Sequence, residues 1–319
     1  MRAFISGGAG FIGSHLVRRL LFRENAERVV IFDNFSSGKE SYLAELKTES
    51  RLEIVHGDLK DVDAVKCAMA GSDTVFHLAA NPDIAKAVTQ PDIDFWEGTY
   101  LAQNVLEAMR LTGAKTIFYT SGSGVYGENA AVAFQENYGP CIPISTYGAS
   151  KLACEALIAS YCFMFGMRGR AFRFANVVGP RQTHGVGYDF VRRLKADGTR
   201  LRILGDGSQS KSYIHVEDIL NAVFTAGAKC KAVYDVFNVA TGDYVTVREI
   251  AEMAVELCGL QLKCVDFEFT GGDRGWKGDV PVVRFDCSKI ENLGWLCSRT
   301  SGDALRDSMK AMLEEISHA

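Results

Sequence analysis

Tyr147 and Lys151 stand four residues apart at the opening of a strongly helical stretch, so their side chains share one face. A free tyrosine, with a pKa of roughly 10, is a poor base at neutral pH. A neighbouring ammonium favours the phenolate, which is a competent base for a hydroxyl proton. At ordinary lysine frequency such a pair also arises by chance, as an exposed helix pair with a core-facing tyrosine. A second constellation upstream turns the reading toward chemistry. Gly7-Gly8-Ala9-Gly10-Phe11-Ile12-Gly13 satisfies both G-x-x-G-x-x-G (Gly7, Gly10, Gly13) and G-x-G-x-x-G (Gly8, Gly10, Gly13). Glycines let the chain turn tightly and let a pyrophosphate approach the backbone, where the N–H groups and positive dipole end of a helix receive it. A second apolar run ends at Asp33, twenty residues after Gly13, where a carboxylate would hold the adenosine ribose 2′-OH. That acid repels a 2′-phosphate, so NAD is expected rather than NADP. Asp58-Leu59 would sit by the adenine, with a helix N-cap the alternative role for Asp58.

These residues need elements that position them. Ala3–Ser6 is a short apolar strand and the glycines open a helix to about Phe22. Val29–Phe32, Leu52–His56, Thr74–Leu78, Lys115–Tyr119 and Arg170–Phe174 read as further strands. Helices are expected near 62–69, 92–110 and 146–165. This alternation predicts an α/β fold, a Rossmann-type doubly wound parallel sheet with a smaller, interleaved α/β substrate domain. After Gly179-Pro180 the rhythm changes: glycines and turns punctuate 185–212, a helix returns near 216–226, and 236–239 is another strand. A helix near 247–258 and a closing helix follow. The expected domains are 1–175 plus about 214–240 for NAD, and about 176–213 plus 241–319 for a nucleotide sugar.

The chain has 319 residues, with 35 Lys+Arg against 39 Asp+Glu and no block of like charge, which disfavours nucleic-acid binding through a phosphate-neutralising patch. Hydrophobic residues at 47% permit a sizeable core. No apolar run reaches the roughly 18 residues needed to span a bilayer, and the N-terminus lacks a signal-peptide pattern. Nine Cys (67, 141, 154, 162, 230, 258, 264, 287, 297) form no C-x-x-C pair. Scattered among apolar neighbours, they read as thiols of a reducing compartment, hence a cytoplasmic protein. The six His show no ligand spacing, so no metal site is expected.

With these residues in hand, the chain resembles the extended short-chain dehydrogenase/reductase family, most closely its nucleotide-sugar 4-epimerases of the UDP-glucose 4-epimerase type. The resemblance spans nearly the whole length. It rests on segments 7–16, 32–38 (Phe-Asp-Asn-Phe-Ser-Ser-Gly), 57–59, 77–80 (His-Leu-Ala-Ala), 125–127 (Val-Tyr-Gly) and 147–151 (Tyr-Gly-Ala-Ser-Lys). Asn176 in its Phe-Ala-Asn-Val-Val-Gly-Pro setting, segment 212–218 and segment 274–280 continue it. The resemblance implies NAD as a bound prosthetic group held by Gly7, Gly10, Phe11, Ile12, Gly13, Asp33, Asn34, Phe35, Ser36, Ser37, Gly38, Asp58, Leu59, Leu78, Ala79, Ala80, Tyr147 and Lys151. Tyr147 would take the 4-OH proton while C4 gives up a hydride that returns to the other face of the 4-keto sugar. Lys151 would hold the nicotinamide ribose and favour the phenolate. Ser121, Ser123, Asn176, Tyr188, Lys211 and Arg274 are the implied substrate contacts. Asn176, Lys211 and Arg274 serve the diphosphate, with a surface salt bridge the alternative for either cation. Lys211 stands where many relatives carry Arg and loses the bidentate fork.

Two departures bear on catalysis. Relatives place Ser or Thr at the position of Gly122, as a hydroxyl between the tyrosine and the sugar 4-OH. Here a water, a flanking serine or direct reach of Tyr147 replaces it, or turnover is slow, or the chain binds without catalysing. Phe95 replaces an Asn on the nicotinamide side and is otherwise a core residue. Ser123-Gly124 supplies none of the carboxylates that dehydratases and decarboxylases of the family carry before Val-Tyr-Gly. Val283 stands near a position where a large Tyr narrows the sugar pocket in some relatives, so UDP-glucose, UDP-galactose and their N-acetyl forms are all expected to fit. UDP-glucuronate lacks an obvious carboxylate-binding Arg beyond Arg181. The rival readings are another nucleotide-sugar conversion, such as glucuronate 4-epimerisation or 4-keto reduction, and a sensor of NAD or sugar nucleotides. In the family two long helices pack dimers as a four-helix bundle. Leu101, Val105, Ala108, Leu157 and Tyr161 fit either such a homodimer interface or an internal core.

Overall fold

The computed structural model describes residues 1–129, 132–275 and 278–317. The backbone divides into two compact units: Met1–Val125, Ser145–Arg173 and Val223–Phe237 in the first, and Tyr126–Ile144, Phe174–Ala222 and Asn238–Ala319 in the second. Segment 126–144 therefore falls with the second unit, whereas the sequence reading kept it with the first; 214–222 moves likewise. The strand Ala133–Phe134 pairs in parallel with Arg284–Phe285, and the Phe134 ring stacks on Tyr126 at 4.5 Å. A pairing over 150 positions leaves no periodic trace in the chain.

In the first unit β1 (Arg2–Ser6) leads to α1 (Phe11–Phe22) and β2 (Arg28–Asp33). Next come β3 (Leu52–His56), α2 (Val62–Met69), β4 (Thr74–His77), α3 (Tyr100–Thr112), β5 (Thr116–Gly122) and α4 (Thr146–Phe165). The strands Arg168–Phe174 and Tyr234–Val239 complete a seven-stranded sheet, ordered Tyr234–Val239, Arg168–Phe174, β5, β4, β1, β2, β3. The pairings from β3 across to β5 are parallel. The order reverses between β1 and β4, the point at which doubly wound sheets open a crevice beyond their strand ends.

Alternation along each strand buries both faces. Phe4, Val30, Phe32, Val75, Ile117, Tyr119 and Ala171 join residues of α2, α3 and α4 in one core. The alternate residues Phe76, Phe118, Phe172 and Phe237 form a row with centroid separations of 4.9, 6.4 and 6.0 Å. Each such buried ring stabilises the fold by roughly 1.5–3 kcal/mol. Leu101, Val105 and Ala108 are buried in the α2–α4 core, with Leu157 and Tyr161 packed against it. Leu101, Val105 and Ala108 are thus internal, while Leu157 and Tyr161 keep part of their surface in solvent. The large apolar side chains that α4 leaves to solvent are Phe163, Met164 and Phe165.

Two local readings differ. The long helix expected from 92 is present: helical backbone starts at Ile93 and runs into α3, with one π-helical turn over Phe95–Thr99. Gly98 permits that turn, because a Cβ there would run into the Ser150 hydroxyl. Phe95 is exposed rather than core, and its ring meets Trp96 edge-on at 5.0 Å. In the second unit, Val186–Ala196 is a helix where turns were expected. Its Gly187, Phe190, Val191 and Leu194 are buried at helical spacing, so packing overrode the glycines. They share a core with Leu201, Ile203, Ile250, Ala254, Leu305 and Met309. Thr246 and Glu249 form a capping box that starts the helix Val247–Leu257.

Candidate active site

The glycine loop lies at the crevice end of β1. Gly7 adopts φ +75°, and a Cβ there would come within 2.9 Å of the Ala79 nitrogen. A Cβ on Gly13 would strike the Gly7 carbonyl oxygen. The loop is thus drawn against 78–80, whose Leu78 and Ala79 N–H groups both donate to the Ser6 carbonyl. Gly10 is the N-cap of α1, with no side-chain cap and no acid in the first turn. The positive end of α1 therefore carries no built-in compensation, as a bound diphosphate requires. Phe11 and Ile12 are half-buried on that turn.

Asp33 is buried at the end of β2 and accepts from the Ala9 N–H through Oδ2 and the Phe35 N–H through Oδ1, each at 2.9 Å. A carboxylate has about four acceptor positions, so two remain for a vicinal diol. Asn34, Ser36 and Ser37 are exposed, Asn34 accepts from the Ser36 N–H at 3.0 Å, and Gly38 packs on Ala9. Asp58 is exposed and accepts from the Lys60 N–H at 2.9 Å. It is not a helix cap: Asp61 caps α2 through the Ala64 N–H. Leu59 is buried under α3, its carbonyl accepting from Asn104. On the other side of Phe35 a groove of about 470 Å³ is lined by Leu43, Leu46, Leu52, Ile54 and His56. The described residues thus fit a dinucleotide along the strand ends of the first unit.

Tyr147 lies in the first turn of α4, whose N-cap Ser145 accepts from the Gly148 N–H at 3.1 Å. Lys151, one turn on, is buried and donates to the Thr120 carbonyl at 2.7 Å. Its ammonium lies 5.4 Å from the Tyr147 ring centroid and 5.0 Å from that of Tyr119. The buried Asp94 fastens this turn, accepting from Thr146 at 2.7 Å and from Asn81 at 2.9 Å. Ser121 is buried and donates to Glu155 Oε1 at 2.5 Å. Glu155 in turn forms a buried bidentate pair with Arg173, at 3.0 and 2.6 Å. Ser123 is half-buried, and a Cβ on Gly122 would meet nothing within 4 Å.

The second unit brings two of the predicted cations to Asp279, one to its carboxylate and one to its backbone carbonyl. Lys211 is ion-paired with Asp279, and Arg274 reaches the Asp279 carbonyl at 3.4 Å while its guanidinium pairs with Glu128 at 2.7 Å. The salt-bridge alternative describes both. Asn176 is exposed and donates to the Ser212 carbonyl at 3.2 Å, and Arg192 covers the Tyr188 ring at 5.5 Å. Val283 is buried. Trp276 and Lys277 of the 274–280 segment lie outside the described residues. Asp279, Glu155 and Asp94 went unremarked in the sequence; nothing but their partners marks them. Among the described residues, no group of three His, Cys, Asp or Glu could hold a metal ion, and no helix is long and apolar enough to cross a membrane.

A glycine loop on an uncapped helix, an acid closing the second strand and a Tyr–Lys helix turn define a dinucleotide-dependent enzyme that works on hydroxyl and carbonyl carbons. The chain belongs to the NAD dependent epimerase/dehydratase family, whose sequence profile matches residues 3–240. NAD is its cofactor. It is 30% identical over 297 residues to a putative UDP-glucose 4-epimerase of Methanocaldococcus jannaschii, covering 91% of this chain and 92% of that one. A crystal structure of UDP-galactose 4-epimerase superposes with a TM-score of 0.86 at 37% identity, covering 99% and 100% of the two chains. A dTDP-glucose 4,6-dehydratase from Streptomyces venezuelae, solved with NAD bound, superposes with a TM-score of 0.90 at 27% identity over 100% and 98%. The enzyme is therefore an NAD-dependent nucleotide-sugar epimerase or dehydratase.

Proposed function

We propose that the chain is a cytoplasmic epimerase acting at C4 of a UDP-hexose, with NAD held by the first unit and the nucleotide sugar by the second. The observation that carries this reading is the Tyr147–Lys151 turn beside a strand end, Gly122-Ser123-Gly124, that contains no carboxylate. Elimination of water across C5 and C6 needs an acid and a base there, which leaves epimerisation favoured over dehydration. When bound, NAD supplies a hydride acceptor at C4 that is regenerated within each turnover. Tyr147 takes the 4-OH proton as the hydride leaves and gives one back after the 4-keto sugar has turned over. Lys151 holds the ribose hydroxyls beside Tyr147. With Ser121 donating to Glu155, the hydroxyl that bridges Tyr147 to the sugar comes from Ser123 or a water. The small Val283 supports acceptance of a 2-acetamido group. Exposed Phe163 and Met164 on α4 support a homodimer through the two long helices.

Proton NMR of the purified protein, without added NAD, tests this reading with UDP-galactose, UDP-N-acetylgalactosamine and UDP-glucuronate in separate tubes. The expected result is the C4 epimer from the first two. Rejection of the N-acetyl sugar would overturn the Val283 argument alone. No epimer from any of them, even with NAD added, would remove the catalytic reading and leave the sensor. Tyr147→Phe should lower kcat on the order of 10²–10⁴-fold.

A further inference from the structure

Lys151 is buried, yet its ammonium meets one neutral carbonyl and two ring faces. What orients the Tyr119 face is written in the sheet register. Ser6 of β1 lies opposite His77 of β4, and His77 lies opposite Tyr119 of β5. By strand alternation the three side chains fall on one face, the face of α4. Each is almost wholly buried at 0, 1 and 3% exposure. Ser6 Oγ and His77 Nδ1 are 2.6 Å apart, and the His77 ring stacks on Tyr119 at 5.6 Å with planes 27° apart. Cys154, one turn beyond Lys151 on α4, is buried in the same core as Tyr119. Tyr119 is thus enclosed by that core, stacked on one side by the His77 ring and set against the Lys151 ammonium.

We propose that Tyr119 is a positioning residue for Lys151, and that the row Ser6–His77–Tyr119 is the platform that ties this lysine to the glycine loop. The inference rests on the proposed Tyr147–Lys151 chemistry for its kinetic consequence and not for its structural one. A cation over a desolvated ring face gains attraction that an aliphatic floor cannot supply. The platform also stays uncharged: burial, and secondarily the Lys151 charge, hold His77 down at about 3, while burial keeps the Tyr119 hydroxyl protonated. A charged floor would repel Lys151 or draw it away from the ribose. Ser6 directly precedes Gly7, so one row of side chains registers the lysine and the phosphate loop together.

Tyr119→Met keeps an unbranched apolar side chain and loses the ring, whereas Tyr119→Phe keeps the ring and loses the hydroxyl. In NAD-loaded protein labelled with 13C at lysine Cε, the Lys151 signal is identified by its absence in Lys151→Met. Its ε-protons should lie upfield in wild type, stay upfield in Tyr119→Phe and move downfield in Tyr119→Met. The kcat for UDP-galactose should fall about tenfold in Tyr119→Met at unchanged KM, and within about threefold in Tyr119→Phe. An unmoved Lys151 signal in Tyr119→Met overturns the proposal. So does an equal loss of kcat, KM and melting temperature in both variants, which is what a plain core role gives. If wild type shows no turnover but the signal moves, the platform stands and the epimerase reading falls. Should Tyr119→Met fail to fold, His77→Leu carries the test, with a smaller downfield movement expected and none overturning the proposal.

Discussion

Lys151 in the first unit and Lys211 in the second are both lysines expected to face a ligand, and their surroundings are opposite in kind. Lys151 is held by a carbonyl oxygen and by aromatic faces, with no carboxylate paired to it among the described residues. Lys211 is held by Asp279, and its neighbour Arg274 by Glu128. Neutral partners leave the charge of Lys151 available to a ribose and a phenolic oxygen. Acidic partners leave Lys211 and Arg274 to exchange a carboxylate for a phosphate, which offsets part of the gain on binding. The difference teaches that a cation's availability is set by what already compensates it, not by its residue type.

The comparison can be broken or sharpened by experiment. Within the first unit Glu155 is a buried carboxylate paired to a cation, Arg173, while it accepts from Ser121. Glu155→Gln should cost about 3–5 kcal/mol in denaturant unfolding, because Arg173 is left buried without its counter-charge. A loss below about 1 kcal/mol would mean that compensation by acids is of little consequence here. Lys151→Met should lower kcat on the order of 10²-fold with NAD content retained, measured by cofactor release and NMR turnover. A merely structural lysine would instead show itself in melting temperature.

The neutral floor of Lys151 has a pH signature. Burial, and secondarily the Lys151 charge, push His77 down to about 3 in the folded chain, against about 6.5 in an unfolded one. Between those values the unfolded chain binds a proton that the folded chain refuses. Stability is therefore full above about pH 6.5 and falls as the pH drops toward 3, by up to about 1.4 kcal/mol per pH unit. Melting temperatures from pH 7 to 4 should show that slope in wild type and a flatter one in His77→Gln. The smallest effect belongs to the second unit. Asp279→Asn frees Lys211 and should lower KM for the UDP-sugar about threefold, with a steeper dependence on salt. An unchanged KM would mean that Lys211 does not meet the diphosphate.

Much of the first unit was legible because its signals are local. The strand–loop–helix of Ala3 to Phe22, the end of β2 at Asp33 and the helix from Thr146 to Phe165 lie where hydrophobic period and glycine spacing put them. Elements failed where packing competes with propensity. The helix Val186–Ala196 forms despite Gly187 because Phe190, Val191 and Leu194 on the same face are buried. The partner of Ser121 was illegible for a related reason: its acceptor Glu155 is 34 positions away.

By itself the sequence determined the residues that do chemistry with their near neighbours: the glycine turn, the acid closing the second strand, and a tyrosine and lysine one helical turn apart. Such relations span a few positions and follow from the 3.6-residue period and from backbone sterics. Only the tertiary structure decided what surrounds each charge. Ser6 meets His77 across 71 positions and Lys211 meets Asp279 across 68. Strand register and loop closure bring those pairs together, and neither is encoded in the spacing of residues along the chain.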